Sequence, residues 1–374
     1  KLFLNKLEGM FSFCIYDKKK DSFFCARDRF GKKPFYYYHK EGRFIYSSEI
    51  KSIIKVLGKT PSFNKQALYE YLSFLTPINE TTFYKDVKKL EAGSSLLYKN
   101  NKISIKKYYS IDDIKTSYYD EKSILKNIED ILLDSVKSRL VGDVEVATLL
   151  SGGIDSSLVS ALYSKISNKR INTFCIGYDE HLHYSELSYA KVVSKHINSN
   201  HHELVINKKD FIETIDKMIH HTDEPFADSA AVPTYLLSEV INKQGIKVAL
   251  SGEGSDESFL GYDHYFDILD IYNNKAVKQD FNLTKNWEYN NRALTGQTIY
   301  QTYGETFTEI QKVRLLKNYR STNYLRNYYS KYKSVQWLTY IDFRIWVSEV
   351  LMTKIDRMSM AHSLELRAPF LDHK

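Results

Sequence analysis

Apolar and polar positions follow two rhythms along the chain, and the rhythm changes near Asp112. Before it, short aromatic-rich runs alternate with polar turns. MFSFCIY (10–16) and SFFCAR (22–27) flank DKKKD, while FYYYHK (35–40) and RFIYSSE (43–49) flank EG. Runs of this kind separated by turn residues predict hairpins. IKSIIKVLG (50–58) predicts a helix stopped by Gly58, and FNKQALYEYLSFL (63–75) a second, with Pro77 in the loop after it. LEAGSSLLYKNNKISIKKYY (90–109) reads as one more hairpin, turning at Asn100 and Asn101.

Beyond Asp112 the apolar positions of KSILKNIEDILLDSVKSRL (122–140) recur at helical spacing. VEVATLL (144–150) predicts a buried strand, followed by a helix. INTFCIGY (171–178), HHELVI (201–206) and IKVALSG (246–252) predict further strands, with helices over SELSYAKVVSKHI (185–197) and PTYLLSEVINK (233–243) between them. Alternating strands and helices imply a parallel sheet with right-handed crossovers. From about Tyr262 the pattern reads as all helix.

The length of 374 residues and 43% hydrophobic content suggest two domains, placed at 1–110 and 111–374. No apolar run reaches the roughly 18 residues of a membrane span, and no membrane partner is expected. The three cysteines, Cys14, Cys25 and Cys175, match no zinc spacing. Cys14 and Cys25 could pair across a predicted hairpin, but small buried thiols in a reducing, cytoplasmic setting account for all three. A net charge of +7 with 30 Tyr and 20 Phe raises nucleic-acid binding. The densest basic and aromatic stretch (311–333) is equally explained by helices with a solvated Lys/Arg face, and no RNA-binding motif accompanies it, so no nucleic-acid partner is expected.

Two strand ends carry glycine-rich turns. In SGGIDSS (151–157), Gly152 and Gly153 let backbone approach an anion, Ser151, Ser156 and Ser157 add hydroxyls, and a helix expected from about Ser157 offers its N–H groups. The Gly-Lys-Ser/Thr of a P-loop is missing. Asp155 beside phosphate makes sense if Mg²⁺ lies between them; otherwise it caps the helix. SGEGSDE (251–257) again follows a strand and sets Glu253, Asp256 and Glu257 close together, where like charges need a cation or a shared proton. Asp256 would complete a metal site with Asp155, leaving Glu253 free for proton transfer or orientation.

These stretches resemble the glutamine-hydrolysing asparagine synthetase family. SGGIDSS is similar to its pyrophosphate loop, SGEGSDESFLGY (251–262) to its second synthetase motif and KIDRMSMAHSLELRAPFLDH (354–373) to its third. DEPFADSAAVPTYLLS (223–238) also matches a segment of the bacterial enzymes, and LEGMFSFCIYD (7–17) and ARDRFGKKPFYYY (26–38) resemble the later part of the glutaminase domain. The resemblance spans the chain. It implies an α/β fold: a parallel-sheet ATP-pyrophosphatase (PP-loop, adenine nucleotide alpha hydrolase-like) synthetase domain with a helical C-terminal part, preceded by the β-rich remainder of an N-terminal-nucleophile glutaminase domain.

The resemblance also implies a reaction. ATP and Mg²⁺ would serve adenylation of aspartate, giving β-aspartyl-AMP and pyrophosphate, and ammonia drawn from glutamine would yield asparagine. Leu150 and Ile176 would border the adenosine, with Ser251 and Gly252 also contacting AMP. Ser151, Gly152, Gly153, Asp155, Ser156 and Ser157 would line the pyrophosphate. Asp155 and Asp256 would hold magnesium, and Glu253 would serve intermediate formation and the ammonia proton. Arg357 would stabilise charge on phosphorus. Arg367 and Asp372 are expected as structural ion pairs, and His201 and His202 as packing or pairing residues. Asp223 and Glu224 either face the acceptor or position the loop before Pro225.

The pattern departs from the family in places. Phe259-Leu260-Gly261-Tyr262 replaces Phe-Gly-Gly-Tyr. The glutaminase's initial nucleophilic Cys is not Lys1, and the motifs expected before LEGMF and after PFLDHK are missing, so the chain is expected to be an internal portion of a longer synthetase. A homodimer is left open. The alternatives are the same chemistry on a sugar acid, a tRNA-modifying PP-loop protein, and a remnant that only binds nucleotide.

Overall fold

The computed structural model describes residues 3–114, 117–180, 185–274, 285–295, 307–317 and 335–374. The chain forms two compact units: Lys1–Asp112 with Glu224–Ala227 and Asp256–Met352, and Asp113–Asp223 with Asp228–Ser255 and Thr353–Lys374.

In the first unit, β1 (Ser12–Asp17), β2 (Ser22–Arg27), β6 (Ser94–Lys99) and β7 (Lys102–Lys107) form one antiparallel sheet in the order β1-β2-β6-β7. A second sheet has the order β4-β3-β5, from β3 (Tyr36–Lys40), β4 (Arg43–Ser47) and β5 (Val87–Lys89). The hairpins fall where alternation places them, and Asn100 and Asn101 take the positive φ angles that a tight turn requires. The tyrosines of FYYYHK are divided by the strand's two-residue period. Tyr36 and Tyr38 pack with Ile50 and Ile53 of the helix Ile50–Leu57, whereas Phe35 and Tyr37 pack with Cys25 and Leu96. In the adjoining motif, Asp28 accepts the backbone N–H groups of Phe30, Lys32 and Lys33, so this stretch is a structural turn.

The later part of this unit is helical and gathers around Trp337, Tyr265 and Tyr289, with Phe74 and Ile78 in the same core. Residues Asp342–Leu351 form a π-helix, which periodicity alone does not reveal. Residues 318–333 of the basic, Tyr-rich stretch lie outside the described residues.

The second unit is built on five parallel strands: β8 (Val146–Leu149), β9 (Asn172–Tyr178), β10 (Asn200–Ile206), β11 (Val248–Leu250) and β12 (Glu365–Arg367), in the order β10-β9-β8-β11-β12. Four of these were expected. The fifth, β12, corrects the all-helical reading of the last third: it is three residues long, too short to show a period, and exists because it pairs with β11. A helix over Lys208–Thr222 was also unforeseen, although Asn207 and Asp210 form a capping box at its start. The core between sheet and helices holds Leu132, Val136, Val146, Val159, Leu162, Val248 and Leu250. Among the described residues no helix is long and apolar enough to cross a membrane.

The strand order fixes where a ligand fits. From β8 the chain moves outward through β9 to β10, then returns to β11 on the other side of β8. The topological switch point therefore lies between β8 and β11, and in open α/β sheets ligands occupy the crevice beyond the strand ends at that point. Both glycine-rich turns leave the sheet there.

Candidate nucleotide and acyl-transfer site

The first turn is held by its own serines. Ser151 Oγ accepts the Gly153 N–H at 3.1 Å and lies 2.9 Å from Ser156 Oγ, which in turn accepts the Ser151 N–H at 3.1 Å. Gly152 has φ +87°, and a Cβ there would stand 2.4 Å from the Tyr189 carbonyl carbon and 2.5 Å from the Ala190 nitrogen. Only glycine fits. The helix begins at Ile154, three residues earlier than expected, with Gly153 as its N-cap and no side-chain cap. Asp155 thus lies in the first turn, where a negative charge suits the dipole. The first-turn N–H groups point out of the helix without a cap, which suits an anion.

The second turn packs directly on the first. A Cβ on Gly252 would lie 2.9 Å from the Ser156 nitrogen and 3.1 Å from Asp155 Cβ. The Ser255 hydroxyl donates to Asp155 Oδ1 at 2.6 Å and orients that carboxylate. Ser251 is tied to the sheet through its N–H on the Arg367 carbonyl at 2.9 Å. The hydroxyls of Ser157 and Ser251 are buried with no hydrogen-bond partner among the described residues. A buried hydroxyl without a partner costs about 1–3 kcal/mol, so two at one crevice fit a ligand rich in oxygen acceptors. Among the described residues no cluster of three or more His, Cys, Asp or Glu forms a ready metal cage. Magnesium bound through phosphate needs only one or two carboxylates, and Asp155 in the first turn offers one.

Glu253 is not left free, as the sequence suggested. Its Oε1 lies 3.0 Å from Lys354 Nζ, and the same ammonium lies 3.3 Å from Asp228 Oδ2. Burial alone would push the Lys354 ammonium down, but the Glu253 and Asp228 carboxylates outweigh it and hold the group charged well above the usual lysine range. Sequence reasoning missed Lys354, Asp228 and Ser255. A signal existed for the first: Lys354 and Arg357 are three apart on the helix Met352–Met360 and share a face. Arg357 is itself engaged, its Nη2 lying 3.4 Å from Asp223 Oδ2 with both side chains buried.

The other expected residues are placed as follows. Leu150 is buried in packing with Cys175 and Ala190, and Ile176 sits half-buried in β9 opposite Leu204. Glu224 accepts the Phe83 N–H at 2.6 Å. His201 Nδ1 lies 2.9 Å from Thr173 Oγ1, and His202 stacks on Phe174. Arg139 pairs with Asp372 at 2.8 Å, and Arg367 pairs with Glu365 at 2.7 Å. Leu260 adopts φ +57°, so a bulky residue occupies a backbone conformation suited to glycine. At Gly261 a Cβ would fall 2.0 Å from Asp256 Oδ1. Of the two positions that differ or persist from the family's Gly-Gly, the one kept is the one that sterics demand. Cys14, Cys25 and Cys175 are all free thiols.

Comparison with known proteins matches residues 127–374 to the asparagine synthase family and residues 1–109 to the glutamine amidotransferase domain family. Asparagine synthetase [glutamine-hydrolyzing] 1 of Bacillus subtilis is 31% identical over 389 residues, covering 98% of this chain and 61% of that protein. Asparagine synthetase B of Escherichia coli is 30% identical over 279 residues, covering 70% of this chain and 44% of that protein. A Methanocaldococcus jannaschii protein assigned to the same glutamine-hydrolysing type is 40% identical over 264 residues, covering 69% of this chain and 50% of that protein. The chain thus spans about half the length of the curated relatives it matches. With its serine-held turn, its second acidic turn and its five-stranded sheet all within the matched region, the chain belongs to the asparagine synthetase family.

Proposed function

We propose that the protein carries out ATP-dependent amidation of a carboxylate, converting aspartate to asparagine through β-aspartyl-AMP, with ammonia from glutamine in the full-length protein. The observation that carries this reading is the pair of buried hydroxyls, Ser157 and Ser251, without a hydrogen-bond partner among the described residues, on two touching glycine-rich turns at the switch point. Family membership supports the substrates. The ranges 1–109 and 127–374 support a domain boundary near residue 110.

In this reading Ser151, Gly152, Gly153, Ser156 and Ser157 hold the pyrophosphate portion with hydroxyls and first-turn N–H groups. Ser251 and Gly252 hold the AMP portion, and Leu150 and Ile176 border the adenosine, Leu150 through its backbone, since its side chain belongs to the core. Asp155 is the proposed magnesium ligand, with Asp256 from the second turn as its companion. Magnesium, when bound, would supply positive charge to phosphate oxygens. Glu253 handles the acceptor and the ammonia proton. Arg357 remains a proposed source of positive charge for phosphorus. Its pairing with Asp223 orients the guanidinium and offsets part of its charge.

The test follows Mg²⁺-ATP cleavage by the full-length protein with ammonium chloride, with and without aspartate, identifying products by mass. Pyrophosphate, AMP and asparagine appearing together only with aspartate are expected. Cleavage that ignores aspartate but responds to a uronic acid would move the acceptor to a sugar acid, and no cleavage with any carboxylate would end the reading.

A further inference from the structure

Lys354 is an expensive residue to keep. Its side chain is 6% exposed, and taking an ammonium out of water costs several kcal/mol even after relaxation. Its two partners differ in kind. Asp228 is an anchor: its Oδ1 accepts the Ala230 N–H at 2.9 Å and its backbone carbonyl accepts the Ala231 N–H at 3.1 Å, fixing it to the start of the helix Ala231–Lys243. Its remaining oxygen, Oδ2, meets Lys354.

Glu253 is the outer member. It is the most exposed of the three, at 27% against 12% for Asp228, and only one of its oxygens, Oε1, is given to Lys354. It sits between Gly252, packed on the first turn, and Gly254, where a Cβ would fall 2.3 Å from Leu371 Cδ2. The backbone under Glu253 is therefore confined on both sides. The carboxylate would still rotate about three side-chain bonds, and the Lys354 contact is what stops it.

We infer that Lys354 is a positioning residue: carried by the Asp228 anchor, it holds Glu253 Oε1 so that the second oxygen is aimed at the reacting acceptor and ammonia. The inference rests on the proposed role of Glu253 in the amidation. Lys354 itself needs no contact with substrate. The chain of support runs from a helix start through a carboxylate and an ammonium to the outermost carboxylate, so the geometry of Glu253 is set by residues from three separate segments.

The experiment is a kinetic double-mutant cycle in the full-length protein, using Lys354→Met, Lys354→Arg and Glu253→Gln, with kcat and the KM for ATP measured separately. Loss of orientation by an ångström costs on the order of 10²-fold in rate. Lys354→Met is therefore expected to lower kcat by about that factor with the KM for ATP little changed, and Lys354→Arg to recover a measurable part of it. In the Glu253→Gln background, Lys354→Met is expected to cost little more, because the group it positions is already disabled. Full kcat in Lys354→Met, or losses that multiply independently in the double variant, overturns the inference while leaving the proposed amidation intact. Should Lys354→Met fail to fold, Lys354→Arg and Asp228→Asn take its place: both keep the buried charges partly satisfied, and unchanged kcat in both overturns the inference. A wild-type protein without aspartate-dependent pyrophosphate release overturns the function and this inference together.

Discussion

The Gly152–Gly153 pair allows a matched test of how the first turn is built. Gly152→Ala introduces a methyl 2.4–2.5 Å from the backbone of Tyr189 and Ala190, both of which lie in the helix Leu187–His196. Neither neighbour is the end of a flexible side chain, so turn or helix must move by about 1 Å to restore ordinary contact. Overpacking of this kind costs about 1–3 kcal/mol, and the φ of +87° adds about 1–2 kcal/mol for an L residue. The restricted unfolded chain returns about 0.4–1 kcal/mol, leaving a net loss of about 1–5 kcal/mol. Gly153→Ala is the control, since φ there is −67° and the only close neighbour among the described residues is Ser151 Oγ at 3.3 Å. Its expected effect is within about 0.5 kcal/mol of zero. Urea midpoints of the two variants, with hydrogen exchange of peptides covering 146–196, measure the difference. Nucleotide binding should weaken in Gly152→Ala, because the displaced turn carries the Ser151 and Ser156 hydroxyls. Equal stability and equal exchange in both variants would refute the claim that close backbone approach, rather than turn propensity, dictates the glycine at 152.

Two further outcomes follow from buried groups. Burial, reinforced by the nearby Glu257 carboxylate and opposed by the Tyr265 hydroxyl, pushes the Asp342 carboxyl well above its ordinary range. A raised folded-state value means its contribution is fully present below the unfolded value near 3.9 and is lost as pH rises through the folded one, at about 1.4 kcal/mol per pH unit. Asp342→Asn, compared with wild type by urea unfolding across this range, should therefore gain relative stability as pH rises; a relative loss would show that Asp342 is stabilised as the anion. For the thiols, Cys25 Sγ donates to Cys14 Sγ at 3.2 Å across paired strands, and this bond together with the Tyr46 hydroxyl lowers the Cys14 thiol. Burial pushes the Cys175 thiol up to about 12. Diamide should join Cys14 to Cys25 and leave Cys175 reduced, read by peptide mass mapping, and modification of Cys175 first would reverse the assignment.

What the sequence revealed depended on how local each cause was. Alternation in FYYYHK and helical spacing in KSILKNIEDILLDSVKSRL express burial against neighbours that any core would supply, so the hairpins, the long helix and four parallel strands were legible. The two glycine-rich turns were legible because their chemistry is written within seven residues each. By contrast, β12 has three residues and owes its existence to β11, more than a hundred positions earlier. The π-helix Asp342–Leu351 likewise has no local signature. Lys354 was hidden for the same reason. Its significance arises only where Asp228 and Glu253, from different stretches, meet its ammonium. The acidic turn did contain the clue, since crowded carboxylates require a cation. A bound metal was one answer, and the fold supplies a second from its own third motif. A site can hold both, because Asp155 faces Ser255 in the turn while Glu253 is committed to Lys354. In the amidation proposed above, the two acids would divide the work: Asp155 would stay with the phosphate end, and Glu253, held at one oxygen, would serve the end where the new bond to nitrogen forms.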